Sequence, residues 1–184
     1  MKRRVQMKCF GLGLIGVVAA TPATALDTIK IGAPESISGD WAPYTAAPGM
    51  RCMVELMKAS GEANVELKIE DSKSDPQLAI TLAQQMLDDH AIAVSGTPAS
   101  DSLIPIAQLS AGYGAITFSA VSTQVEMYSS GLTNFVTTAV PDPFNAAATA
   151  QVAHDVGVHT VVLFVSDAAG SWTRALPGWF GEVF

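Results

Sequence analysis

The chain predicts an α/β fold: a doubly wound parallel sheet forming one lobe, followed by the start of a second, similar lobe. Three observations lead there. Short apolar segments alternate with stretches of helical period over residues 28–165. Forty-nine percent of the residues are hydrophobic, which is compatible with one real core. No internal repeat or low-complexity linker interrupts the alternation.

Residues 28–33 form the first β-prone segment, and a Gly- and Pro-containing loop then runs to Pro48 before a helical stretch over 49–59. Residues 65–70 alternate apolar and polar, which places Val65, Leu67 and Ile69 on one strand face. The clearest helix comes next. Asp75 is positioned to cap it and Pro76 suits its first turn, while Leu78, Leu82, Met86 and Ala79, Ala83, Leu87 recur at helical spacing.

A short apolar strand over 91–95 ends at Gly96, and a loop with Pro98 and Ser100 leads into a helix over 102–111. A strand over 114–118 follows, then an extended segment over 135–138 crossing toward the second lobe. An Ala-rich helix over 143–155 and the most apolar strand of the chain, 160–165, complete the alternation. Such a pattern implies parallel strands covered by helices. Trp172 and Trp179 lie in the terminal segment, where Pro177 and Gly178 are expected to interrupt a helix.

The first 25 residues read as a secretory leader. Lys2, Arg3, Arg4 and Lys8 form a basic stretch, residues 10–20 are apolar and uncharged, and Ala23-Thr24-Ala25 is a small-residue cleavage site. About a dozen apolar residues fall short of the roughly 20 that span a bilayer, so removal rather than anchoring is expected. The mature product then has 159 residues (184 minus 25) and lies outside the inner membrane, in the periplasm. Cys9 is not at the cleavage boundary, where a lipid-anchored cysteine belongs, and Cys52 becomes the single cysteine, which excludes an intramolecular disulfide.

Four of the ten basic residues leave with the leader and all seventeen acidic ones stay, giving a formal charge of 6 minus 17, or −11. That surface repels DNA, RNA and anionic lipid, so nucleic acid is excluded as a partner. The loops contain neither a GxGxxG fingerprint nor a GxxxxGK[ST] phosphate cradle, and no CxxC, HExxH or GxSxG motif occurs. No cofactor, no metal and no enzymatic activity are expected. Glu70, Asp71 and Asp75 read as a helix cap with solvated neighbours, and His154 and His159 lack a nearby nucleophile.

In a doubly wound sheet, small molecules bind at loops beyond the carboxyl ends of the strands. Three such loops carry candidate residues: 36–44, 96–102 and 119–123. At these loops the chain resembles the periplasmic substrate-binding proteins of branched-chain amino acid transporters, the type I solute-binding family. The resemblance rests on Ile29-Lys30-Ile31-Gly32 with Ser38-Gly39, on the segment from Ile69 to Pro76, on Gly96-Thr97-Pro98-Ala99-Ser100, and on Ile116-Thr117-Phe118-Ser119-Ala120. It continues over 137–165 and so covers almost the whole mature chain.

That resemblance implies particular roles. Ser100 would bind a ligand carboxylate through its hydroxyl and nearby amides, although a serine there equally serves as a helix cap. Ser119 and Ala120 match the loop that receives the ligand ammonium and carboxylate. Val121 stands where threonine is common, and Ser122 would supply the missing hydroxyl after a one-residue shift. Tyr44 occupies a position where an aromatic ring closes over ligand, and Trp41 is a second lid residue.

The family architecture divides the chain into the leader 1–25, a first lobe 26–138 and an incomplete second lobe 139–184. The implied function is solute capture for an ABC importer of branched-chain amino acids or related small carboxylates, with an inner-membrane permease as partner. A sensory ligand-binding domain, or a non-functional fragment of such a receptor, is the alternative. A homodimer is expected if a second copy covers the exposed second-lobe material.

Overall fold

A computed structural model describes residues 27–97, 100–166 and 173–184, together with the backbone but not the side chain of Ser100 as part of a helix. The expected leader, residues 1–25, lies outside the described residues. Five parallel strands form one sheet in the order β2-β1-β3-β4-β5, as expected for a doubly wound lobe. They are β1 (Thr28–Glu35), β2 (Asn64–Asp71), β3 (Ala93–Ser95), β4 (Ile116–Ser119) and β5 (Phe135–Thr137). The helices are α1 (Ala47–Ser60), α2 (Pro76–Asp88), α3 (Ser100–Gly112), the short α4 (Glu126–Ser129), α5 (Asp142–Asp155) and α6 (Leu176–Gly181).

Strand β1 pairs with β2 over its full length, from Thr28 opposite Asn64 to Glu35 opposite Asp71. On its other side Ile31 and Gly32 meet Ala93 and Val94 of β3. Because side chains alternate across a strand, this register separates two faces. Gly32, Val94 and Thr117 align on the face covered by α2 and α3, whereas Ile31, Leu67, Ala93 and Ile116 align on the face that α1 partly covers.

The main core lies on the first of those faces. Ala79, Leu82, Ala83, Met86 and Leu87 of α2 pack with Val94, Ile106 and Ala115. Asp75 starts α2 as its sequence predicts: it is extended, and its Oδ1 accepts the Leu78 N–H at 2.8 Å. A second cluster joins Leu103 and Ala107 of α3 to Met127 and Phe135.

The structure moves several boundaries. Helix α1 begins at Ala47, two residues before the expected start, with Pro48 in the first turn, where its missing N–H costs nothing. Helix α3 begins at Ser100 rather than Ser102. Residues 135–137 do not merely cross between lobes. They form the fifth strand of the sheet, paired with β4, with Phe135 partly buried against the cluster of Leu103, Ala107 and Met127. Pro177 and Gly178 do not abolish the terminal helix, since Pro177 again falls in a first turn.

The strand expected over 160–165 is not formed. Apolar composition favours burial, but a strand also needs a neighbour for its N–H and C=O groups, and here none is paired to it. Val161 packs against the cluster of Ala146, Ala150 and Phe180, while Phe164 is 94% exposed. Trp172 lies outside the described residues.

Gly32 sets how closely α2 approaches the sheet. A Cβ added there would lie 2.7 Å from Met86 Sδ and 2.8 Å from Met86 Cβ, and the latter cannot swing away as a side-chain tip can. Gly32→Ala is therefore expected to destabilise the protein by about 1–3 kcal/mol through overpacking. Urea unfolding at unchanged m-value tests this; an unaltered midpoint would contradict the close approach.

Candidate functional site

The strand order puts the topological switch point between β1 and β3, where connections depart in opposite directions and a crevice forms beyond the strand ends. Glu35 ends β1 and Ser95 ends β3, and both are 1% exposed. The Ser95 hydroxyl donates to Glu35 Oε1 at 2.8 Å. Glu35 Oε2 accepts from the Thr45 hydroxyl at 2.8 Å and from the Ala46 N–H at 2.9 Å. Two hydroxyls and one main-chain N–H thus satisfy a buried carboxylate, as burial of such a group demands.

The loop after β1 is held at its other end by Asp71, which closes β2. Asp71 Oδ1 accepts from the N–H groups of Ile37 and Ser38 at 3.0 Å each and of Lys73 at 2.8 Å, while Oδ2 accepts the Ser38 hydroxyl at 2.6 Å. Asp71 stays open to water near the strand end, as expected, and in addition organises a turn. Ser74 continues the contact, donating to the Ser38 carbonyl at 2.9 Å and accepting from the Trp41 N–H at 3.0 Å. Gly39 lies under this contact with φ +86°, and a Cβ there would come within 2.6 Å of the Lys73 carbonyl oxygen. Lys73 and Ser74 both hold left-handed backbone, at φ 55° and 62°, within the same set of bonds.

So constrained, the loop presents its two aromatic rings together. The Trp41 and Tyr44 centroids are 5.9 Å apart with planes inclined at 54°. Tyr44 lines a cavity of about 390 Å³ with Gly96 from the loop after β3 and with Ala120 and Val121 from the loop after β4. The cavity continues down the sheet face under α1, between Met50, Met53 and Met57 and the strand residues Ile31, Leu67 and Phe118. Its lining is apolar except for Glu35, Ser95 and the Tyr44 ring hydroxyl. Beyond it on the same face, Ile116 and Val136 are about half exposed.

The six candidate residues are distributed unevenly around this space. Tyr44 and Ala120 line it, and Trp41 flanks it through Tyr44. Ser119 stands behind, its Oγ accepting from the Ser122 N–H at 3.0 Å and from the Val121 N–H at 3.3 Å, so its hydroxyl shapes the loop. Ser122 is buried, gives its carbonyl to the Thr137 hydroxyl at 3.4 Å, and does not line the cavity. The Ser100 side chain lies outside the described residues. On either side of it in the chain, Thr97 and Ser102 share a buried hydroxyl–hydroxyl bond of 2.5 Å.

The sequence reading missed Glu35, Ser95 and the methionines of α1. A signal for Glu35 was present: an acidic residue just after an apolar strand needs donors, and Thr45 and Ser95 directly adjoin the loops 36–44 and 96–102 assigned to the rim.

Comparison with known families matches residues 28–177 to the family described as Periplasmic binding protein. The chain belongs to that family, and its parallel sheet matches the type I periplasmic binding protein fold. Comparison with curated proteins gives no match.

Among solved structures, the branched-chain amino acid transporter substrate-binding protein LivJ of Streptococcus pneumoniae, in complex with isoleucine, is similar over 86% of this chain and 47% of its own. The TM-score is 0.77 at 21% identity. The leucine-binding protein LivK of Thermotoga maritima is similar over 85% of this chain and 45% of its own, at TM-score 0.69 and 21% identity. A solute-binding protein of an ABC transporter from R. palustris, in complex with 4-hydroxybenzoate, is similar over 86% and 44%, at TM-score 0.73 and 21% identity. The chain thus spans about half the length of the solved structures it matches. Among the described residues no helix is long and apolar enough to cross a membrane.

The Ser38 hydroxyl, then the N–H groups of Lys73, Ser38 and Ile37, hold the Asp71 carboxyl below its ordinary value of 3.8 against an opposing desolvation. A depressed carboxyl contributes stability that is complete above the ordinary value and is lost as pH falls through the depressed one. Removing it by Asp71→Ala is expected to speed hydrogen exchange at the Ile37 and Ser38 amides about tenfold at pH 7. The difference from wild type is expected to persist at pH 5 and to close only below pH 3.8, which exchange corrected for intrinsic rates measures.

Proposed function

We propose that this chain is the extracytoplasmic solute-binding component of an ABC importer, taking a small carboxylate-bearing solute with an apolar or aromatic body. The carrying observation is that loops after β1, β3 and β4 contribute Tyr44, Gly96, Ala120 and Val121 to one cavity at the carboxyl ends of the strands. Tyr44 supplies a ring face and a hydroxyl, Trp41 stiffens it, and Ala120 and Val121 add main-chain groups and apolar contact. Ser100, at the start of α3, is assigned the ligand carboxylate.

Val121 in place of a hydroxyl-bearing residue removes one polar contact and favours a ligand whose body is less polar at that point. The resolved relatives bound to isoleucine and to 4-hydroxybenzoate bracket this choice. Residues 26–138 are the ligand-carrying lobe and residues 139–184 the beginning of the opposing one, and the leader 1–25 delivers the product to the periplasm. The partner on the membrane is the importer's permease. Binding requires no bond-making step, so the protein acts as a receptor rather than as an enzyme.

The test is thermal unfolding of the full chain and of its 26–184 form with millimolar L-leucine, L-isoleucine or 4-hydroxybenzoate. At a ligand concentration of about five times Kd, a rise of roughly 2–4 °C is expected for the ligand that fits. Tyr44→Ala is expected to abolish that rise while leaving the unliganded midpoint nearly unchanged, since Tyr44 is 61% exposed. Absence of any rise with all three compounds would remove the proposal.

A further inference from the structure

We infer that Glu35 is a positioning residue that couples two lips of the cleft across the switch point, setting the placement of the Trp41–Tyr44 segment through Ser95. The inference rests on the solute-binding reading for its effect on affinity, but its geometric part stands alone. Glu35 contacts three groups, and they belong to different segments. Thr45 and Ala46 end the loop that carries both aromatic rings, and Ser95 ends β3, next to Gly96 in the cavity wall.

The alternative is a carboxylate that merely closes its own loop. Against it stands Ser95, whose hydroxyl gives its single proton to Glu35 across 60 residues of sequence, the Gly96 carbonyl oxygen at 3.1 Å being the more distant and uncharged acceptor. That bond ties the Glu35 carboxylate to the residue that precedes Gly96 in the second lip. Both groups are 1% exposed, so water competes little for these bonds, and loss of one partner costs the other a buried contact.

Three variants separate the possibilities. Ser95→Ala removes only the bond between lips. Glu35→Gln can keep all three contacts, since its amide oxygen accepts from Thr45 and Ala46 while its NH2 donates to the Ser95 oxygen. Glu35→Ala removes everything and risks unfolding, so the first two carry the test.

Hydrogen exchange of the Ala46 amide is the first readout and needs no ligand. Ser95→Ala is expected to speed it about tenfold while the Leu78 and Leu87 amides of α2 stay within twofold, and Glu35→Gln to remain within threefold of wild type. The second readout is affinity for L-leucine and 4-hydroxybenzoate, whichever the wild type binds; about a tenfold loss is expected in Ser95→Ala and recovery toward wild type in Glu35→Gln.

Unchanged Ala46 exchange in Ser95→Ala would overturn the coupling. So would a uniform acceleration that includes α2, which marks global loosening. If the wild type binds neither probe, the solute-binding reading for those classes fails, while the exchange result still decides the coupling.

Discussion

Strand β1 is the element on which the molecule depends, because its eight residues pair in parallel with β2 on one side while its middle pairs with β3 on the other. A parallel strand in that position has no free edge and must carry apolar matter on both faces. One face meets the requirement by retreat: Gly32 has no side chain, and Met86 of α2 fills the space. The opposite face carries Ile31 toward α1 and ends in Glu35. Packing on one face and site formation on the other are therefore decided within the five residues from Ile31 to Glu35.

The carboxyl ends of β1 and β2 both finish in acidic residues, and the two are used differently. Asp71 gathers main-chain N–H groups from its own turn and from Ile37 and Ser38 near the sheet rim. Glu35 is buried, and takes hydroxyls and one N–H from segments that surround the switch point. Between them they fix the two ends of a loop whose middle bears Trp41 and Tyr44. A rim built of short turns gains its rigidity from such side-chain acceptors, since its backbone has no ladder to join.

Membership of the periplasmic binding protein family accounts for the cleft at the strand ends. The cavity reached from the rim extends along a sheet face on which Ile116 and Val136 remain half exposed. Apolar side chains on a parallel sheet are ordinarily covered by helices, so this face differs in kind from the finished one under α2 and α3.

The amino-acid order alone determined the alternation of elements, the cap at Asp75, the strand faces of β2 and the three loops that hold the candidate residues. These are local matters: a 3.6-residue or two-residue period and a capping oxygen act over a few positions. It also carried the family, through short segments whose order and spacing matched. The fate of residues 160–165 was not local, because an apolar run becomes a strand only beside another strand. Nor was the division of labour in the site. Ser119 turned inward to its own loop and Ser122 sank behind the cavity, while Glu35 and Ser95 met across 60 residues. Only the fold decides which hydroxyl finds which acceptor, since hydrogen bonds require partners within about 3 Å whatever their separation along the chain.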